Sequence, residues 1–225
     1  MKKLVVAIDG PAGAGKTTIA KELSKRLNIP FFSTGALYRA YALKCVQCGL
    51  DATDVQSAKQ IALTTQLDVK YIDGNQHVIL DGVDVTDKLH GDKISDVASL
   101  ISAHKVIREH LENLQRNLAS TQSIIMDGRD IGSVVLPQAD FKFFLDADVH
   151  VRAERRYNEL LQKGENVTYQ NVLQELQERD YRDKTRKISP LVQCKDAIKI
   201  DCSSLTIEQV VEKFVEVIQS KDIKE

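Results

Sequence analysis

The sequence is poor in the features that mark several large classes of protein. Its 225 residues include no tryptophan, four prolines and four cysteines, and 31 basic residues are balanced by 32 acidic ones. Proteins that coat nucleic acid usually carry a basic excess, so the net charge of −1 argues against a nucleic-acid polymer as partner. Any anionic ligand must therefore be held by local cations rather than by the field of the whole molecule.

Long apolar runs are also missing. No stretch approaches the roughly 18 apolar residues of a membrane span. The run that begins at Leu4 ends at Asp9 and Gly10, which is too short for the apolar region of a signal peptide. We therefore expect a cytoplasmic protein without a membrane partner.

Cysteine usage gives little sign of metal or redox chemistry. Cys45 and Cys48 have CxxC spacing, but no second pair completes a tetrahedral metal site. Their surroundings are apolar and helical in pattern, which favours thiols that pack as small hydrophobic side chains.

The composition that remains is that of an ordinary globular domain, with 43% hydrophobic and 28% charged residues. We expect one domain over residues 1–225. Five short apolar runs alternate with helical patterns, at residues 3–8, 29–33, 123–126, 141–145 and 197–200. This alternation predicts an α/β fold with a five-stranded parallel sheet covered by helices on both faces. Residues 67–85 differ, because alternating strands and Asp-Gly turns predict a small antiparallel β insert there.

The clearest motif lies between the first predicted strand and the first predicted helix. Residues 10–17 match GxxxxGK followed by Ser or Thr, the pattern of a phosphate-binding loop. Small residues let the backbone N–H groups converge on a polyphosphate at a helix N-terminus. The predicted nucleotide-binding residues are Gly10, Pro11, Ala12, Gly13, Ala14, Gly15, Lys16, Thr17 and Thr18.

Other features narrow the class of phosphate-loop protein. The guanine-reading Asn-Lys-x-Asp of GTPases is absent, and no long acidic run of the ATPase type is present. Arginines instead follow several predicted strands and helices, in places where they can converge on a second phosphate. Arginine suits that purpose because its charge is permanent and its binding to phosphate is bidentate.

Four motifs together resemble bacterial cytidylate kinases. They are AIDGPAGAGK at residues 7–16, STGALYR at 33–39, DGRDIG at 127–132 and ERDYRD at 178–183. The resemblance covers nearly the whole chain, including the β insert. It implies phosphoryl transfer from ATP, with Mg²⁺, to CMP or dCMP. It also implies a P-loop NTPase-like sheet of order 2-3-1-4-5 and a monomer.

The resemblance further implies roles for individual residues. The catalytic set is Lys16, Asp127, Arg129 and Arg186. The substrate-binding set is Thr34, Arg39, Ser99, Arg108, Arg129, Asp130, Arg179, Asp183 and Arg186. Thr17 is the expected Mg²⁺ ligand, and Arg152, Arg155 and Arg156 are expected to close over the ATP phosphates, with Arg155 as the binding residue.

Simpler interpretations compete for each of these residues. A lone arginine is most often a solvated surface residue. Arg179, Asp183 and Arg186 share one helical face, which is also what an exposed salt-bridged face looks like. Asp127 could cap a turn, and Asp130 could pair with Arg129 or cap a helix rather than read a base.

The implied division of the chain has three parts. Residues 1–35, 120–150 and 190–225 form the core, residues 36–119 form a lobe that binds the nucleoside monophosphate, and residues 150–187 form a lid with its flanking helices. We expect both lobes to approach the core when nucleotides bind. The alternative functions are a kinase for UMP or another small monophosphate, and a binding or switch module that holds nucleotide without turnover.

Lys16→Ala tests the phosphate loop. We expect a loss of about 10²–10³ in rate, because the ammonium stabilises charge that moves with the transferred phosphoryl group. The loop should face solvent in the empty protein, so the fold should survive, as checked by circular dichroism. A folded variant with the unaltered kcat would contradict the assignment.

Overall fold

The computed structural model describes residues 3–222 of the chain. Within them the central sheet contains five parallel strands. These are β1 (Val5–Asp9), β2 (Phe31–Ser33), β6 (Ile124–Gly128), β7 (Phe141–Asp146) and β8 (Ile198–Asp201). Three further strands form the insert, β3 (Leu67–Ile72), β4 (Asn75–Leu80) and β5 (Val83–Asp84).

The order of strands across the sheet is β2-β6-β1-β7-β8. Counted along the chain among these five strands alone, this is 2-3-1-4-5, so the predicted order is confirmed. All residues of β1 and β6 are buried, because helices cover both faces of the sheet. The carboxyl ends of β1 and β6 lie side by side, with Asp9 opposite Gly128. In open α/β sheets ligands bind at this kind of edge.

Eight α-helices lie within the described residues and follow the predicted alternation. They are α1 (Lys16–Leu27), α2 (Thr34–Gln47), α3 (Val55–Thr64), α4 (Asp92–Ile101), α5 (Lys105–Thr121), α6 (Val149–Gln162), α7 (Tyr169–Thr185) and α8 (Ile207–Asp222). Asp54 caps α3, since its carboxylate accepts a hydrogen bond from the Ser57 N–H at 2.8 Å. None of the helices described is both long and apolar enough to cross a bilayer.

Two apolar layers hold the helices against the sheet. On one side Leu37, Tyr41 and Leu111 pack over β1 and β6. On the other side Leu23 and Phe214 pack with residues of β1 and β7, and the rings of Phe143 and Phe214 stack 4.0 Å apart. The sheet edge between the two layers is left to polar residues.

The antiparallel insert is confirmed, and it packs onto the main core. Its two tight turns place Asp73, Gly74, Asp81 and Gly82 at positive φ, as a right-twisted two-residue hairpin requires. Val69, Val78 and Leu80 of the insert belong to the same apolar cluster as Ala7 and Phe32 of the core sheet. The amide of Gln76 also accepts from the Ser33 N–H at 2.7 Å and donates to the Ser33 carbonyl at 3.3 Å, which joins the hairpin to the end of β2.

Gly10 is required by a close approach between strands. A Cβ atom built there would lie 2.0 Å from the Leu145 carbonyl oxygen, which is backbone and cannot give way easily. Gly10→Ala should therefore lower the free energy of unfolding far more than Gly82→Ala. Gly82 has a φ of 81° but open space around it, so its cost should be about 1 kcal/mol. Urea denaturation of both variants gives the comparison, and equal losses would refute the close-approach argument.

Candidate active site

A cavity of about 720 Å³ opens at the carboxyl edge of the central sheet. Its walls come from the phosphate loop, the start of α2, the segment after β6, α4 and α7. Most of the residues singled out from the sequence line it. Gly10 and Pro11 do not, because they form the back of the loop.

The phosphate loop has its expected shape, but its lysine is not in solvent. Gly13 and Gly15 adopt φ of 72° and 85°, and α1 begins at Lys16. The Lys16 side chain is 6% exposed, and its Nζ donates to the Pro11 carbonyl at 2.6 Å. Burial first, and the charge of Arg129 second, hold the pKa of Lys16 well below its usual value. The expectation that the loop faces solvent holds at Gly13 and Gly15 but is wrong at Lys16, so Lys16→Ala also removes one buried hydrogen bond.

Thr17 and Asp127 meet where a cation would be needed. The Thr17 hydroxyl donates to Asp127 Oδ2 at 2.6 Å, while Asp127 Oδ1 is buried without a hydrogen-bond partner among the described residues. A hydroxyl and an underused carboxylate oxygen are donors that Mg²⁺ accepts. Within residues 3–222 no group of three His, Cys, Asp or Glu side chains could hold a metal alone. A bound Mg²⁺ would therefore depend largely on water and phosphate oxygens.

Four arginines of the predicted substrate-binding set, Arg39, Arg129, Arg179 and Arg186, line the same cavity as the phosphate loop. Arg129 donates from Nε to Asp183 Oδ2 at 2.8 Å, and Arg186 lies 3.8 Å from the same carboxylate. Arg39 and Arg179 each bury an Nε that has no hydrogen-bond partner in the described chain. The four guanidinium groups of the cluster thus keep nitrogens that the Asp183 carboxylate does not pair.

The pKa shifts of these arginines reflect the same shortage of negative charge. Burial, and then the charge of Arg129, lower the pKa of Arg179 to about 10. Burial also lowers the pKa of Arg39 and of Arg186. Arg129 is the exception: burial lowers its pKa, but the carboxylates led by Asp183 outweigh that effect and raise it overall. An anion arriving at this cluster would relieve the unfavourable confinement of three cations.

A second polar group lies deeper in the cavity. Arg108 is 1% exposed and forms a buried ion pair with Asp130 Oδ2, while Asp130 Oδ1 lies 3.5 Å from Arg186. The sequence-based alternative that Asp130 pairs with Arg129 is thereby wrong. Arg108 also donates to the Ser102 carbonyl at 3.2 Å and lies 5.5 Å from the ring centre of Tyr38.

Two predicted hydroxyls contribute differently to this region. Ser99 Oγ is buried without a hydrogen-bond partner among the described residues, which leaves it available to a ligand. The Thr34 hydroxyl donates to the Asp127 carbonyl at 2.7 Å and so also joins the start of α2 to the end of β6.

Asp9 organises the loop that carries Arg129 and Asp130, a role the sequence did not suggest. Its carboxylate accepts hydrogen bonds from the N–H groups of Ile131 and Gly132 at 2.8 and 2.7 Å. These bonds start a π-helical turn over Ile131–Val135. Burial raises the pKa of Asp9 to about 6 in spite of those bonds. The available signal was an acid at the end of an otherwise apolar strand.

Comparison with known proteins decides the family. A family model described as cytidylate kinase matches residues 6–220. The chain belongs to the cytidylate kinase family. The cytidylate kinase of Caldicellulosiruptor saccharolyticus is 45% identical over 216 residues, which span 96% of each chain. That of Clostridium botulinum is 43% identical over 219 residues, 97% of this chain and 99% of its own.

Solved structures add the fold alone. An uncharacterized protein from Eubacterium ventriosum superposes with a TM-score of 0.54 at 15% identity, over 97% of this kinase and 99% of that chain. The resemblance read from the four sequence motifs is confirmed, and the kinase fold agrees with it.

The arginines expected over the ATP phosphates are already engaged in this kinase. Arg155 Nη2 donates to the Cys202 carbonyl at 2.8 Å, and Arg156 lies 2.9 Å from Glu159. Arg152 is buried in the cavity lining and donates to the carbonyl groups of Ala147 and Ala12. For Arg155, contact with nucleotide stays a prediction.

One wall of the kinase cavity was missed altogether. Beyond the phosphate loop it is formed by the end of β8 and the start of α8, through Cys202, Leu205, Thr206, Ile207 and Val210. Apolar residues of this kind fill pockets for flat ring systems. They carry no sequence motif, so no pattern reading could have selected them.

Proposed function

We propose that this kinase transfers the γ-phosphoryl group of ATP to CMP or dCMP, giving ADP and CDP or dCDP. One observation supports the proposal above all: a single cavity is lined both by a phosphate loop and by a separate cluster of arginines, of which Arg39 and Arg179 each keep an Nε without a hydrogen-bond partner among the described residues. Phosphoryl transfer between two polyanions is chiefly a matter of positioning and of charge neutralisation.

On the donor side the loop backbone and the N-terminus of α1 bind the ATP phosphates. Lys16 exchanges its hydrogen bond to the Pro11 carbonyl for hydrogen bonds to phosphate oxygens. The desolvated ammonium group thereby gains an anionic partner. Thr17 and Asp127 would hold Mg²⁺ and its water shell. Bound there, Mg²⁺ supplies further neutralisation of phosphoryl oxygen charge.

On the acceptor side the monophosphate takes the place left open in the arginine cluster. Arg39 and Arg179 offer guanidinium nitrogens that lack partners, and Arg129 and Arg186 line the same cavity. Asp183 holds Arg129 in position and presents its remaining acceptor capacity toward the sugar hydroxyls. The transferring phosphoryl group is then surrounded by permanent cations.

The base binds at the deeper polar group. Cytosine offers acceptors at O2 and N3 and a donor at the N4 amino group. Arg108 and Ser99 can donate to the acceptors, and Asp130 can accept from N4 while it stays paired with Arg108. Uracil places the O4 oxygen opposite the carboxylate and a proton on N3 opposite a donor, which leaves both pairs unsatisfied.

Three further expectations complete the proposal. Movement of the lobes at residues 36–119 and 150–187 would exclude water, so that ATP is not hydrolysed. The four cysteines are free thiols, which fits the reducing cytoplasm. We also expect the kinase to act as a monomer, as the resemblance of the four sequence motifs to bacterial cytidylate kinases implies.

The function is tested with a coupled assay of ADP release against CMP, dCMP, UMP, AMP and GMP. Turnover confined to CMP and dCMP supports the proposal. Faster turnover of UMP would favour the alternative monophosphate kinase. Tight binding of ATP without turnover of any acceptor would favour a switch module.

Asp130→Asn tests base recognition. We expect kcat/KM for CMP to fall steeply and that for UMP to fall much less, so that the CMP/UMP ratio drops by roughly 100-fold. The ratio is the useful quantity, because any misfolded fraction caused by unpairing the buried Arg108 cancels from it. If both substrates lose activity by one common factor, Asp130 does not read the base.

A further inference from the structure

A single buried ion pair connects the phosphate loop to the two helices that follow β7. Arg152 of α6 and Asp180 of α7 meet at 2.7 Å between Nη2 and Oδ2. They are 5% and 7% exposed. The sequence analysis assigned no role to Asp180, and it assigned Arg152 to the group of arginines that close over the ATP phosphates.

The pair encloses one peptide unit of the loop. Arg152 Nη1 donates to the Ala12 carbonyl at 2.8 Å, and the Ala12 N–H points to Asp180 Oδ1 at 3.4 Å. Arg152 Nε donates to the Ala147 carbonyl, just after β7, at 2.9 Å. Each guanidinium nitrogen therefore holds a different structural element, and the Ala12 methyl group packs in one apolar cluster with Leu173 and Leu176 of α7.

The same helix carries the acceptor site. Asp180 lies between Arg179 and Asp183 in the continuous helix α7, and both of these neighbours line the cavity. A helix moves as a rigid rod over so short a distance, so the position of Asp180 fixes that of the acceptor groups one turn away. The contact at Ala12 thus sets how far the acceptor groups stand from the loop that holds the donor phosphates.

We infer that Arg152 and Asp180 are positioning residues that hold α7 in register with the phosphate loop, and so align the two reacting phosphates. This rests on the proposed function. A buried ion pair adds little net stability compared with an apolar pair of equal size, but it is directional. Direction matters here, because a displacement of about 1 Å between reacting groups can cost on the order of 10² in rate.

Arg152→Lys is the main test. The variant keeps the positive charge, but one ammonium cannot bond Ala147, Ala12 and Asp180 in the same geometry. We expect kcat to fall by roughly 10- to 100-fold. The KM values for CMP and for ATP should change by less than about threefold, since groups that bind each nucleotide separately are left in place.

A double-mutant cycle with Asp180→Asn adds a readout that a merely structural role would not move. If the two residues act through the same ion pair, their effects are not additive. The double variant Arg152→Lys/Asp180→Asn should then lose no more kcat than the more impaired of the two single variants. Should Arg152→Lys fail to fold, Asp180→Asn alone decides, and an unchanged kcat in it would overturn the inference.

Leu160→Ala is the matched control. Leu160 lies on α6 in the same apolar cluster as Ala12 but takes no part in the ion pair. We expect lower thermal stability with unchanged kcat at a temperature where the variant is folded. Three outcomes would overturn the inference: Arg152→Lys with unchanged kcat, an effect on the KM for ATP alone, or an equal loss of kcat in Leu160→Ala. Failure of the proposed function is seen separately, as a wild-type chain that does not phosphorylate CMP.

Discussion

The structure depends on an unequal pairing of buried arginines and carboxylates. Asp183 forms ion pairs with Arg129 and Arg186. Asp130 forms an ion pair with Arg108 and also lies near Arg186. Because carboxylates are fewer than guanidinium groups, the cluster is held together but left short of negative charge. The protein's own carboxylates thus hold the arginines around the cavity, and the remaining deficit of negative charge favours an anionic ligand.

Buried charged side chains also hold the backbone around the cavity in place. Asp9 holds the turn after Asp130 through two N–H groups, and the Arg152–Asp180 pair holds the loop peptide at Ala12. In each case a buried charge is satisfied by main-chain groups at the edge of the sheet. Charged side chains therefore fix irregular segments that apolar packing alone would leave without a defined direction.

Much of this could be predicted from the sequence, for identifiable reasons. Apolar runs without alternation indicated parallel strands, Asp-Gly turns indicated the insert, and the spacing of Gly10, Lys16 and Thr17 indicated the phosphate loop. Contacts between residues far apart in the sequence could not be predicted. No local pattern indicates that Asp180 contacts the Ala12 N–H, or that Asp130 forms its ion pair with Arg108 rather than with Arg129. The apolar wall near Leu205 was hidden for a related reason, because ordinary core residues carry no chemical signature.

The position of β1 in the middle of the sheet has a consequence for synthesis of the chain. Its neighbours β6 and β7 come late in the sequence, and contacting residues such as Leu4 and Ser123 are 119 positions apart. At about 5–20 residues per second the ribosome delivers β6 roughly 6 to 24 seconds after β1. During that interval the Val5–Ile8 run has no strand to pair with, and the edge on which the nucleotide site stands does not yet exist. The central sheet can therefore form only after synthesis has passed the middle of the chain, and until then the apolar β1 segment lacks both of its native neighbours.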